Sequence, residues 1–594
     1  VATIRTTRFA GLRPAVSSRE IDRNRAVVAH NARLVDGSLR SFRSPVHIRS
    51  ETFDIKTIHL PSDMGCCTEP VAYDHCVSIT ETPTEGSCCC WGHMIAWHHN
   101  CTEPEWVDVC EKTTCQLTLP APAVPLTPML LVDGTMNDAN CGDDCSPYKG
   151  PDQRSYTYTW INCSGAESRP APPSPAVLAY DDQTWSLCGF DTPPANAVAV
   201  RIYRTSSTLE DGSKVSQAFD TTFQLVEEIE LDPGAALPPA LAGNCYVDNK
   251  RLADIAWGTL LTHHNCDPPA CMDQVVVTEQ GYHVGFHGND LYVSERNEPH
   301  NWPEKYRCVL PDKIVGIVAH YDMVYVVTTG RPYRVNIAFR AAGAEADATV
   351  DPVPYPERYP CLQRQTLVET SFGAMYVSER GLVALQPNGN AVLMSKPRIG
   401  EDDWIRFMPN MAVWWQGKYV GVRSPAGIGF IFDVLDRAEG GLDLGDFVTI
   451  DLPADAIHAG RDGRLYYSKG ADLFAFGEGT TFTEYTWRSK TFRMNAPVAM
   501  SAAKVVGDFG GPVTFSLYVG TSNVAYYSRV VTSSEPFRLP ARGRFIEWQV
   551  EIKGRTRVHE VHVGPSLWDL ARDLEDARGG RSINVGGLRD EGVG

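Results

Sequence analysis

Eleven cysteines and histidines crowd into one stretch of the chain: Cys66, Cys67, His75, Cys76, Cys88, Cys89, Cys90, His93, His98, His99 and Cys101. Thiolates and imidazoles are the ligands zinc takes four at a time, often as a C-x2-C pair with a second pair beyond. Here the pairs are adjacent or irregular, and the nearest approaches to ligand spacing are Cys141 with Cys145 and Cys266 with Cys271. Metal, disulfides and buried free thiols all remain open for the 18 cysteines, with free thiols the favoured reading. Other chemistry has less to stand on. Acid pairs are unavoidable among 72 Asp and Glu, so Glu401-Asp402-Asp403 reads as a solvated loop rather than a general acid and base. The sequence contains no G-x-S-x-G nucleophile elbow and no Walker A loop. Asn100-Cys101-Thr102 and Asn162-Cys163-Ser164 match the glycosylation sequon, which is coincidental without a secretory route. The expectation is a protein that is not an enzyme, with no catalytic residue, cofactor or metal site.

The elements that would position such residues are strands. At 594 residues the chain exceeds one domain of ~100–200 residues and should form three or four packed units. Its 49 Gly, 41 Pro, 13 Trp, 23 Tyr and 21 Phe favour strands and turns over helices. No stretch approaches the ~18–20 apolar residues of a membrane helix, so membrane insertion is not expected. The first twenty residues carry four arginines and no apolar h-region, which leads us to expect synthesis in a cytoplasm without a signal peptide.

Charge is unevenly placed. The net charge of −18 argues against a general nucleic-acid binder, because neutralising phosphates takes Lys and Arg. Residues 1–50 nevertheless hold ten arginines against Glu20, Asp22 and Asp36, a local +7 that leaves −25 for the rest. A basic arm on an acidic body should reach onto an acidic neighbour, another copy of the chain included. Arg5, Arg8, Phe9, Arg13, Arg23 and Arg25 are its candidate assembly contacts, and deleting residues 1–45 is expected to leave the body folded.

Read along its length, the chain is all-β. Residues 1–50 form the arm and a hairpin at 30–43, where Asp36-Gly37 supplies the turn. Residues 51–146 are a Cys/His-rich β region of the body. Alternation at Tyr156-Thr157-Tyr158-Thr159-Trp160-Ile161, then strands at 197–203 and 223–229, suggests a fibronectin-III/Ig-like sandwich over 147–250. Residues 251–480 repeat themselves: Leu291-Tyr292-Val293-Ser294-Glu295-Arg296 recurs as Met375-Tyr376-Val377-Ser378-Glu379-Arg380, with echoes at Tyr325, Tyr419 and Leu465. Steps of about 30–50 residues, several copies following a Gly turn, predict an irregular β-propeller-like body. A C-terminal β domain follows over 481–564, with strands near 513–519, 544–552 and 557–563. Residues 565–594 are a short helix capped by Ser566, with Asp569 three residues on, and a flexible Gly-rich tail.

Several of these segments resemble the tail nozzle proteins of podoviruses, the short-tailed bacteriophages. The similar segments are Arg8-Phe9-x-Gly-x-Arg13-Pro14, Ala29-x-Asn31-x-x-Leu34-x-x-Gly37-x-Leu39-Arg40, Tyr156-x-Tyr158-Thr159 with Gly165-x-Glu167-Ser168, and Arg201-Ile202-Tyr203-Arg204-Thr205. Leu291-Tyr292-Val293-Ser294-Glu295 with His300-x-Trp302-Pro303, Gly330-Arg331-Pro332-Tyr333, and Trp487-Arg488-Ser489-Lys490 continue the order. The resemblance spans most of the chain but not its Cys-rich 51–146 region. It implies a structural virion protein of the tail, assembled in the bacterial host cytoplasm as a homo-oligomer, usually of six copies. Such a ring extends the DNA-ejection channel below the adaptor (head-to-tail connector) ring, with tail fibres or spikes docked nearby. An acidic, motif-poor lumen suits DNA that must pass without specific binding, since like charge suppresses phosphate contacts. The alternative is a receptor-binding or glycan-degrading tail protein, which would be a trimer with a carboxylate pair in an aromatic-lined groove.

Overall fold

The computed structural model describes residues 3–61, 70–82, 93–108, 113–133, 152–180, 183–205, 223–232, 238–255, 259–261, 266–342, 345–437, 441–520, 522–540 and 542–570. Two compact units divide the chain: His59–Arg358, and Val1–Ile58 together with Tyr359–Gly594. Both are built almost wholly of antiparallel strands, and the body is propeller-like.

In the unit His59–Arg358, three four-stranded sheets run up and down in chain order. They are Val77–Thr82 to Thr113–Gln116, Gln274–Val277 to Cys308–Val309, and Ile314–His320 to Glu345–Pro354. Val77–Thr82 and Ile314–His320 both lie beside Gln274–Val277, so the sheets follow one another as propeller blades do. Alternate residues of each strand fill the space between sheets: Val284, Phe286, Leu291 and Val293 meet Ile317, Val324 and Val326 in one core.

The same unit carries a sandwich. Thr127–Val132, Thr184–Cys188 and Cys245–Asp248 form one three-stranded sheet, and Tyr156–Asn162, Ala197–Arg204 and Gln224–Glu230 form the other. Tyr158, Trp160, Leu187, Val200, Ile202 and Tyr246 share its core. The sandwich therefore draws its first strand from residues assigned above to the Cys-rich region, and a two-stranded ribbon, Asp152–Arg154 with Val177–Ala179, accompanies its two three-stranded sheets.

The other unit holds two further four-stranded sheets, Val368–Thr370 to Ala391–Leu393, and Ala456–Ala459 to Asp472–Ala475 completed by Val46–Ser50. Between them in sequence, Met411–Trp415 to Gly441–Asp451 begins a ten-stranded sheet. That sheet continues through Ala26–His30 and Tyr485–Ser489 into Phe545–Gly554 and Val513–Val519. A single core runs through the whole, from Phe9 and Ala29 to Tyr419, Trp487 and Val561. Residues 481–564 are thus no independent domain, and the predicted 251–480 body is divided between the two units.

The expected arm is corrected most clearly. Ile4–Thr6 pairs with Arg557–Gly564, and Ala26–His30 sits between Gly441–Asp451 and Tyr485–Ser489. Ile4, Phe9, Leu12 and Ile21 are buried. Apolar residues at those positions gain more from burial in their own core than a solvated arm would allow. Removing residues 1–45 would therefore open the ten-stranded sheet instead of leaving a folded body.

Two local readings are sharpened. The repeat segments are strands that follow a tight turn inside a sheet, but Leu291 lies in the third strand of its sheet whereas Met375, Tyr325, Tyr419 and Leu465 lie in the second. That one-strand offset explains the irregular spacing. Among the described cysteines, six are paired as Cys101–Cys271, Cys115–Cys163 and Cys188–Cys245, while Cys76, Cys266, Cys308 and Cys361 are free. The favoured reading of free thiols, which rests on irregular spacing and a reducing compartment, is corrected for these six, whose partners lie 48 to 170 residues apart in sequence. The sandwich register, which sets Cys188 directly opposite Cys245, brings one such pair together. Cys66, Cys67, Cys88, Cys89, Cys90, Cys141, Cys145 and the expected tail from 571 to 594 lie outside the described residues.

Candidate functional site

The six predicted assembly residues are not gathered into one patch. Phe9 is core, its ring edge-on to Trp487 at 4.8 Å, and its N–H donates to the Gly37 carbonyl at 2.8 Å. Arg5 faces Glu560 at 3.9 Å, Arg13 pairs with Asp22 at 3.3 Å, and Arg25 lies between Asp22 and Asp446 at 3.4 and 3.8 Å. Arg8 and Arg23 are exposed. The basic segment thus meets carboxylates of its own unit.

Positive charge collects elsewhere, at a site sequence reasoning missed. The hairpin Ala32–Val35 and Ser38–Ser41 turns at Asp36-Gly37, both at positive φ, which sets Arg33 directly opposite Arg40. Like charges facing across antiparallel strands destabilise the pair. A second turn, Gly554-Arg555-Thr556-Arg557, joins Phe545–Gly554 to Arg557–Gly564. Between these hairpins opens a cleft of about 980 Å3. Six cations line it (Arg33, Arg40, Arg43, Lys553, Arg555 and Arg557) against Glu484 and Asp508.

Three of the six are locally satisfied. Lys553 pairs with Glu484 at 2.9 Å, Arg557 faces Asp508 at 3.9 Å and donates to Ser38 Oγ at 3.1 Å, and Arg40 faces Asp36 at 3.9 Å. Arg33, Arg43 and Arg555 are exposed, and no side-chain hydrogen bond or ion pair engages them among the described residues. Phe482, bridged to Arg43 through the backbone, is 47 % exposed at the same cleft, and the buried Thr556 hydroxyl has no hydrogen-bond partner among the described residues. The arrangement can hold a polyvalent anion, because guanidinium groups grip carboxylate or phosphate by paired hydrogen bonds. The Asp-Gly turn made the Arg33–Arg40 pairing legible in sequence, whereas the approach of residues 510 and 555 was not.

In the unit His59–Arg358, two features stand out. The edge strand Thr127–Val132 leaves Met129, Leu130, Leu131 and Val132 about half exposed, an apolar run of the kind that marks contact with another chain. Of the Cys/His cluster, His75 and His98 come together: Asp74 bonds His75 at 2.6 Å, and the His75 and His98 rings share a hydrogen bond at 2.8 Å. Burial holds the His98 imidazole below its ordinary pKa, against the pull of the Glu105 carboxylate. No group of three or more His, Cys, Asp or Glu among the described residues could hold a metal ion. Glu401-Asp402-Asp403 open the helix Glu401–Phe407, where carboxylates suit the helix dipole, and are not a loop.

No protein-family model and no curated protein matches this sequence. Solved structures resemble it only distantly. Virginiamycin B lyase from Staphylococcus aureus is 10 % identical over 58 % of this chain and 81 % of its own, at a TM-score of 0.23. A streptogramin B lyase structure is 8 % identical over 73 % of this chain and 98 % of its own, also at 0.23. The Pan2 WD40 domain of Neurospora crassa is 6 % identical over 57 % of this chain and 94 % of its own, at 0.24.

Proposed function

We propose that the protein is a structural, non-enzymatic subunit of a short-tailed phage tail, one of about six copies in a ring that extends the DNA channel below an adaptor ring. The observation that carries this reading is the meeting of segments that resemble nozzle proteins at opposite ends of the chain. Phe9 packs on Trp487, the Trp487 indole N–H donates to the Ala10 carbonyl at 3.2 Å, and Lys490 donates to the Ile21 carbonyl. Residues resembling one family and lying nearly 480 positions apart build one joint, which gives their shared order a structural reason.

Two properties support assembly as the role. The chain carries a net charge of −18, which disfavours adhesion of DNA to a channel wall. Its bare apolar edge strand at Met129–Val132 offers a contact for neighbouring copies or for docked fibres. The test is the mass and symmetry of the purified protein, alone and with a candidate adaptor ring. Rings of six support the reading, whereas a stable trimer that binds or cleaves surface polysaccharide supports the receptor-binding alternative.

A further inference from the structure

The cleft above contains three arginines that no side-chain hydrogen bond or ion pair engages among the described residues, in a chain that is otherwise acidic. Its six cations and two acids sum to +4, so the rest of the chain carries −22. The occupant whose charge is known is therefore the chain itself. Within the same unit stands a matching feature: Glu401, Asp402 and Asp403 are consecutive, all exposed, and make no ion pair or side-chain hydrogen bond among the described residues. They are held rigidly. Trp404, the next residue, is fully buried and donates its indole N–H to the Ser378 carbonyl at 2.9 Å. Presenting those carboxylates to a partner thus requires little ordering of the chain.

We propose that the Arg33–Arg43–Arg555 cleft receives the acid-rich first turn of the helix Glu401–Phe407 from a second copy of the chain. This deepens the ring reading and rests on it. A cleft on one copy meeting a helix on the next is a heterologous contact, and such contacts close into rings when the rotation permits. The sizes agree. One helical turn with its side chains is about 5.4 Å high and 10–12 Å across, on the order of 500 Å3, and fits a cleft of about 980 Å3. Three guanidinium groups meet three carboxylates, and the carboxylates relieve the repulsion between Arg33 and Arg40 that the hairpin imposes.

The experiment is a charge swap in the full-length chain, read by mass photometry at low and high salt, alone and with a candidate adaptor ring. One variant carries R33E, R43E and R555E, a second carries E401K, D402K and D403K, and a third carries all six changes. Circular dichroism checks that each is folded, which the exposure of all six side chains favours. Each triple variant is expected to weaken assembly at least tenfold, and the six-fold variant to restore it. Equal mixing of the two triple variants should also restore it, because each then offers the other a complementary partner. Wild-type rings that persist in both triple variants would overturn this contact while leaving the ring reading intact. A wild-type protein that forms no rings under any condition would overturn both. Unchanged assembly with lost binding of a fluorescent oligonucleotide would make the cleft a phosphate site and overturn the proposal.

Discussion

Replacing Asp248 with Asn should cost the sandwich about 3–5 kcal/mol, the range for stranding one member of a buried ion pair. Arg204 and Asp248 are both fully buried, 2.7 Å apart, and Asp248 also accepts a hydrogen bond from Tyr156 at 2.9 Å. The Arg204 guanidinium additionally reaches the Lys250 carbonyl at 3.0 Å, while its Nε and Nη2 have no hydrogen-bond partner among the described residues. An amide at position 248 keeps the shape and one acceptor but removes the charge, so the guanidinium is left buried without a counterion. At about 1.36 kcal/mol per tenfold, the cost corresponds to roughly 10^2 to 10^3.7 in the opening equilibrium. Native-state hydrogen exchange of Tyr156–Asn162, Ala197–Arg204 and Cys245–Asp248 reads that opening without requiring the whole chain to unfold as one unit. Protection there should fall by two to nearly four decades, with the other unit unchanged. The paired variant Arg204→Met with Asp248→Leu should recover most of it, since apolar replacement of a buried pair is often neutral or stabilising. A loss below tenfold for Asp248→Asn would refute the argument that this pair depends on its charge.

Burial pushes the His283 imidazole, whose ring nitrogens have no hydrogen-bond partner among the described residues, down to about 3, so folded His283 stays neutral where the unfolded chain binds a proton. Its contribution is complete above pH 6.5 and lost as pH falls toward 3, by up to about 1.4 kcal/mol per unit; urea titrations read through Trp97, 6.1 Å from His283, should show that slope, and His283→Leu should flatten it. At Gly11, a Cβ would meet the Phe447 carbonyl oxygen at 2.5 Å and its nitrogen at 2.6 Å, backbone atoms that cannot step aside. Gly11→Ala should therefore cost about 1–3 kcal/mol and expose Arg13–Arg25 to limited proteolysis, whereas unchanged cleavage would contradict the docked position of the N-terminal segment. Replacing Cys188 and Cys245 with Ser opens a 57-residue span, worth about 4 kcal/mol in the chain-entropy treatment, and should lower the sandwich's urea midpoint.

How far the sequence revealed this architecture depended on the range of the interactions involved. Local signals carried through: Asp36-Gly37 makes the hairpin, the alternation at Tyr156–Ile161 is a strand, and Ser566 caps the final described helical turn, its Oγ accepting the Asp569 N–H at 3.2 Å. Long-range pairing did not. Nothing local indicates that Ala26–His30 belongs between strands more than 400 residues later, so ten arginines read as a free arm. The Cys188–Cys245 pair and the cleft joining the 33–43 hairpin to the turn at 554–557 depend on register between distant strands in the same way. Composition fixes the strand-rich class, but which strands neighbour each other is set by the assembled core.

Whether the chain works as a ring subunit is decided by its stoichiometry on a candidate adaptor ring, from particle images with mass measured in parallel. A nozzle subunit gives six-fold rings, weakened by high salt and by reversing the charges of Arg33, Arg43 and Arg555. A monomer that never joins the adaptor, or a trimer that cleaves polysaccharide, would contradict it.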